Sequence, residues 1–205
     1  MAWIKTSAGS AQAIVSYTTS STLSSNYVWR VRNNVLEMAW NFAGGGGNWN
    51  LINGTTPVND GKWHYVVFVS DSLNRNKIYL DGIEEATMFT STGSSINDRG
   101  WTDNIDSVGR YNHHINLGCL NRGVSPTNFF NGTIDHIRIW NRALTSEEIR
   151  TLLADINGDD SVDVSDLALV ATNSGKTSDF DPAIDTVRNG QIDIYDIVFV
   201  ASRFT

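Results

Sequence analysis

The chain has little of what would place it quickly. Its 205 residues include one cysteine, Cys119, so no intrachain disulfide can form and cysteine usage is silent on compartment. No apolar run approaches about eighteen residues, which excludes a transmembrane helix on length alone. No stripe of Lys and Arg is present to displace counterions, which argues against nucleic acid. The opening Met1-Ala2-Trp3-Ile4 has neither a basic start nor a long apolar core, so no export signal is legible. Paired carboxylates in the spacing of sandwich-type sugar hydrolases are missing too. There is no E-x-D-x-x-E run, the adjacent Glu84 and Glu85 would face opposite sides of a strand, and Glu37 stands alone in an apolar stretch. No nucleophile–base spacing surrounds Cys119 or the serines. The expectation is a protein that is not an enzyme.

Charge is present but unevenly placed. The net charge is −7. Residues 155–205 hold ten Asp against three Lys or Arg, whereas residues 1–154 carry twelve charges of each sign. This asymmetry predicts two domains, 1–154 and 155–205.

The first part reads as β. Short runs of alternating apolar and polar residues are separated by Gly, Asn, Asp and Ser. Expected strands are Ala2–Thr6, Gln12–Tyr17, Tyr27–Arg32, Val35–Asn41, Trp49–Ile52, Trp63–Ser70, Lys77–Leu80, Glu84–Met88, Ser107–Tyr111 and Thr133–Trp140. Asn33-Asn34 and Asp81-Gly82 are tight-hairpin signals, Asp-Gly above all because both residues accept positive φ. Many short antiparallel strands predict a sandwich. Ser146–Ala154 follows as a helix, with Thr145 as its cap and Glu147 and Glu148 suiting the dipole of its first turn.

The tail carries oxygen donors in a repeated pattern. Asp155, Asn157, Asp159, Ser161, Asp163 and Asp166 occupy positions 1, 3, 5, 7, 9 and 12 of one loop; a second offers Asp185, Asn189, Gln191, Asp193 and Asp196. Such spacing lets a chain wrap a hard Ca²⁺ ion, with position 7 contributing its backbone carbonyl. In the second loop position 3 is Val187, which has no oxygen to give, so the first loop is expected to fill before the second. Position 6 favours glycine; it is Gly190 in the second loop but Asp160 in the first, a residue type that tolerates left-handed backbone. Val162 and Ile192, at position 8, should pack inward against each other. The helices that follow should bury Leu167, Leu169, Val170 and Ala171, then Ile197, Val198, Val200, Ala201 and Phe204. Asp179-Phe180-Asp181-Pro182 leads into the second loop, and its proline disfavours a helix there.

These residues resemble a type I dockerin: tandem calcium loops, each followed by one helix, with Asp at position 12. The resemblance covers residues 155–205. It implies folding on Ca²⁺ and docking to a cohesin-type domain, with positions 10 and 11 (Val164 and Ser165, Ile194 and Tyr195) selecting the partner. The two copies differ there, which argues against symmetric two-way docking. Loops with substituted ligands bind weakly and suit millimolar extracellular calcium. With no export signal on the chain, the expectation is an extracellular or cell-surface fragment.

A second resemblance rests on Asp60-Gly61-Lys62-Trp63-His64-Tyr65, Lys77-Ile78-Tyr79-Leu80-Asp81-Gly82, and the run from Phe130 to Leu144. Together they are similar to the laminin-G-like, concanavalin-A-like jelly roll, over nearly all of residues 1–154. The fold class expected is therefore mainly β: an antiparallel jelly-roll sandwich, lacking its first strand or two and leaving an edge open, followed by a small α-helical dockerin-like domain. The sandwich would bind carbohydrate or a surface ligand, since this fold serves many functions. Pyranose binding calls for an aromatic face and flanking amides. The best candidates are Asn48, Trp49 and Asn50 after a four-glycine run, Trp101 within Arg99–Asn104, and the loop Tyr111–His114. His113 and His114 would face opposite ways on a strand and so cannot converge on one metal. Resemblance also suggests Asp135 for a structural calcium. The alternative reading is an adhesion or structural segment that uses calcium only to fold.

Overall fold

The computed structural model describes residues 1–19, 26–41, 49–71, 76–91, 113–121, 125–181 and 183–204. The chain forms two compact units, one of Met1–Leu80 with Glu84–Ala143, the other of Asp81–Ile83 with Leu144–Thr205. The second unit takes in the Ser146–Ala154 helix.

Among the described residues, strands β1 (Ala2–Thr6), β2 (Gln12–Thr19), β3 (Asn26–Arg32), β4 (Val35–Asn41), β5 (Asn50–Pro57), β6 (Trp63–Val69), β7 (Lys77–Leu80), β8 (Ile83–Glu84), β9 (Met88–Ser91), β10 (His113–Leu117), β11 (Leu120–Asn121), β12 (Pro126–Thr127) and β13 (Gly132–Asp135) build three sheets. The orders are β13-β1-β6-β7-β8, β10-β2-β3-β4-β5-β9, and β11-β12. The two larger sheets share one core. Ile4, Val66 and Ile78 from the first meet Tyr27, Trp29, Leu36, Met38, Trp40 and Ile52 from the second. Alternation explains the facing: in β4 the residues Leu36, Met38 and Trp40 enter the core, and Glu37 and Ala39 take the other side. β1 is paired on both sides, with β13 and β6; the outer strands of its sheet are β13 and β8.

The hairpin turns follow their sequence signals. Asn33 and Asn34 have φ 52° and 74°, and Asp81 and Gly82 have 51° and 80°, the pair of left-handed residues that matches strand twist in a two-residue turn. Two strand expectations fail. Glu84–Met88 is not one strand: β8 ends one sheet and β9 the other, so residues 85–87 carry the chain between sheets. Glu85 there accepts from the Thr55 amide at 3.2 Å. Thr133–Trp140 stops at Asp135, because His136 turns left-handed with φ 46°. β10, β11 and β12 had not been anticipated, and Ser107–Tyr111 lies outside the described residues.

Among the described residues the second unit has three helices, α1 (Ser146–Ala154), α2 (Val164–Thr172) and α3 (Ile194–Ala201). Each begins with a capping box: Thr145 with Glu148, Asp163 with Asp166, Asp193 with Asp196. The reciprocal bonds satisfy amides that the first turn leaves without partners. Thr145→Ala should lower stability by about 1 kcal/mol, measured by chemical denaturation; an unchanged midpoint would mean the box contributes nothing. The buried stripe is narrower than expected. In α2 only Asp166 and Val170 are fully buried, and in α3 only Asp196 and Val200. Leu169, Val198 and Phe204, read as core-facing, are 38%, 57% and 48% exposed. No helix among the described residues is long and apolar enough to cross a membrane.

Candidate functional site

The first loop is organised by its aspartates. Asp155 accepts from the amides of Asp159 and Asp160 at 3.1 and 3.2 Å. Asn157 Oδ1 accepts from Asp159 N at 3.0 Å, and Asp159 Oδ1 from Ser161 N at 3.0 Å. Asp163 caps α2 through Ser165 N at 2.7 Å. The closing Asp166, fully buried, accepts from Ile156 N, Asn157 N and Asp163 N at 2.8 to 3.1 Å. Position 12 thus ties both ends of the loop to the helix that follows. Asp160 takes the left-handed conformation at position 6 (φ 70°), as Gly190 does in the second loop (φ 85°).

The second loop repeats this path. Asp185 accepts from Asn189 N and Gly190 N at 3.1 and 2.9 Å, and Asp196 from Val187 N and Asp193 N at 3.1 and 2.9 Å. Asn189 Oδ1 accepts from Gln191 N at 3.0 Å, while both side-chain amides, of Asn189 and Gln191, donate to Asp193 Oδ2 at 3.0 and 3.1 Å. Val162 and Ile192 are buried as expected, but the backbone partners of Ile192 are Gly175 and Lys176, at 2.7 and 2.8 Å. Burial pushes the Asp185 carboxyl above its usual range, and the nearby Asp196 adds to the rise; amide bonds from Gly190 and Asn189 and the charge of Arg188 oppose it.

The two loops differ in fit to a hard cation. All side chains offered by the first are oxygen donors, four of them carboxylates, on a backbone that turns where such loops turn. The second offers Val187 at position 3, 38% exposed, followed by Arg188. Among the described residues no group of three or more His, Cys, Asp or Glu side chains is gathered as a metal cage is; the loop carboxylates are turned onto backbone amides. The residues proposed to select a partner do share a placement. Val164, Ile194 and Tyr195 are 67%, 61% and 67% exposed, and with exposed Ser165 they occupy the first turns of α2 and α3.

On the sandwich, Asn48 and Trp101 lie outside the described residues, as do residues 42–47, Arg99–Asn104 and Tyr111-Asn112. Trp49 is half-buried just ahead of β5. Asn50 is 3% exposed, paired in register with Trp40, and its Oδ1 has no hydrogen-bond partner. It is an interior amide, because β5 starts at Asn50 and carries it to the core side. His113 and His114 are consecutive residues of β10. Asp135 is exposed and receives the His136 amide at 2.8 Å.

A polar feature missed from sequence lies on the outer side of the six-stranded sheet. Glu37 does not stand alone: it forms a buried ion pair with Arg30, its cross-strand partner, while Arg32 lies 3.7 Å away. The register that brings Arg30 opposite Glu37 follows from the tight Asn33-Asn34 turn, so a charge pair flanking a hairpin signal at seven-residue spacing was the clue available. On the same side Ser16 and Thr18 are buried and donate to the carbonyls of Cys119 and Asn121, and Asn116 donates to both hydroxyls at 3.3 Å.

Two facing antiparallel sheets around one core, with sequence-distant strands adjacent in both, define a β-sandwich of the jelly-roll class. The laminin-G-type family profile described as the concanavalin A-like lectin/glucanases superfamily matches residues 1–150. The chain belongs to this family. No curated protein matches it. The family description covers both lectins and glucanases, so membership points to carbohydrate or ligand binding and leaves catalysis to be argued from residues. Laminin G-like domains are typically extracellular.

Proposed function

We propose that the chain is a non-catalytic pair of extracellular modules. The sandwich binds carbohydrate or another surface ligand. The second unit takes up Ca²⁺ and docks to a cohesin-type domain through the first turns of α2 and α3. The observation that carries the docking part is the coincidence of two features: a donor loop built twice on one backbone path, and exposed side chains at positions 10 and 11 of each loop, with Val164, Ile194 and Tyr195 the large apolar ones among them. In the first loop Asp155, Asn157, Asp159, Asp163, Asp166 and the Ser161 carbonyl would hold the ion. When bound, it supplies positive charge to a donor set that includes four carboxylates. The non-catalytic reading is supported by what the glutamates do: Glu37 pairs with Arg30, Glu84 with Lys77 at 2.9 Å, and Glu85 holds backbone amides of β5.

Calcium should raise the helical signal and the unfolding temperature of the chain. The gain should reach about 2.7 kcal/mol when free calcium is about a hundredfold above Kd, read by circular dichroism with and without chelator. Pull-down of the calcium-loaded chain against a panel of cohesin domains tests docking. Capture that Tyr195→Ala and Ile194→Ala weaken supports assembly; silence across the panel with calcium bound favours the adhesion or structural alternative. A glycan array tests the sandwich separately, and turnover of any glycan lost on substituting a carboxylate pair would overturn the non-catalytic reading.

A further inference from the structure

We infer that the second loop takes no calcium ion and that the guanidinium of Arg188 is its resident cation. This rests on the calcium reading of the first loop. Two neighbouring positions separate the loops, and the second of them does so twice, through its backbone and through its side chain. Position 3 is Asn157 in the first, where its oxygen accepts the Asp159 amide, and Val187 in the second, where no oxygen exists. Position 4 is Gly158 in the first, with φ 74°, and Arg188 in the second, with φ 60°. That backbone region suits glycine and strains a long side chain, so the second loop keeps an arginine where the shared loop path favours none. The Arg188 side chain is also not left in solvent. It is only 15% exposed, and Nε lies 3.8 Å from Asp81 Oδ1 within the same compact unit.

A buried charge needs compensation. Asp81 is the acid 3.8 Å from Arg188 Nε, and Asp185, Asp196 and Asp181 add negative charge that acts on the same guanidinium. Two of those four, Asp185 and Asp196, occupy positions 1 and 12, where a calcium loop puts ion ligands. A divalent ion held by them would share the acids' field with the buried charge of Arg188, and the mutual repulsion would be weakly screened away from water. The loop therefore reaches its folded path with an internal monovalent cation, Arg188, instead of a soluble divalent one. The second repeat, including the Ile194 and Tyr195 face, stays folded when calcium is removed.

Isothermal titration of the chelator-stripped full chain with CaCl₂ tests this. One ion per chain is expected. Asp159→Ala should weaken that ion by at least about tenfold, and Asn189→Ala should leave stoichiometry unchanged and affinity within about twofold. The double variant Val187→Asn/Arg188→Gly, which copies Asn157-Gly158 of the first loop, should bind two ions once its far-UV spectrum is shown to match the native one. Arg188→Ala should melt earlier in chelator, and calcium should not restore the loss. Two ions on the native chain, one of them removed by Asn189→Ala, would overturn the inference and leave the calcium reading intact. No ion at all would overturn both. A natively folded double variant that still binds one ion would overturn Arg188 as the excluding cation.

Discussion

Glu37→Ala is expected to lower the unfolding free energy by about 3–5 kcal/mol, the cost of leaving a buried charge without its partner. Glu37 and Arg30 are 4% and 8% exposed. Arg30 approaches the same carboxylate oxygen through both Nε and Nη2, so removal of the carboxylate strands two donors at once. Arg32, whose side chain is 44% exposed, can hydrate and takes little of the loss. The comparison that isolates charge from packing is the double variant Arg30→Met/Glu37→Leu, which should unfold within about 1 kcal/mol of the native chain because no buried charge remains. Urea denaturation followed by tryptophan fluorescence reads both. A Glu37→Ala chain destabilised by less than about 1 kcal/mol would show that solvent reaches the pair.

Gly132→Ala should be nearly as damaging, by about 3 kcal/mol. A methyl group at Gly132 would lie 2.1 Å from the Lys5 carbonyl oxygen and 3.0 Å from Phe130 Cε1. The carbonyl is backbone and cannot swing aside. Thr6 pairs in register with Gly132, so the chains must separate where β13 meets β1. The expected result is early loss of protection of β1 and β13 amides in hydrogen exchange, with β3 and β4 protected as before. Uniform protection across both sheets would show that the β1–β13 pair tolerates the side chain.

Parts of this architecture were legible in the residues. β1, β4 and β7 match their alternating patterns to the residue, and the Asn33-Asn34 and Asp81-Gly82 turns adopt the positive φ values that these residue types accept. The α1 helix and its Thr145 cap were equally plain, because capping is a contact over three residues. The repeated donor order of the two loops was visible as spacing, and its backbone path followed. Other features were hidden. Nothing between Glu84 and Met88 marks the crossing from one sheet to the other, since β8 and β9 are each defined by strands far along the chain. Leu169 and Val198 fit a helical apolar stripe, yet only Val170 and Val200 of those stripes are buried. Periodicity gives a face its composition and says nothing of whether a neighbour covers it.

The sequence by itself determined what depends on near neighbours: where the chain turns, where helices start, and which stretch carries oxygen donors in loop order. Only the tertiary structure decided what each charge meets. Glu37 is a solitary acid in a list of residues and half of a buried pair once β3 lies beside β4. Arg188 is an ordinary basic residue until folding removes it from water and brings Asp81 within 3.8 Å of it. The physical reason is the same in both cases: the energy of a charge is set by its desolvation and by partners brought close through the fold, and neither quantity is local along the chain.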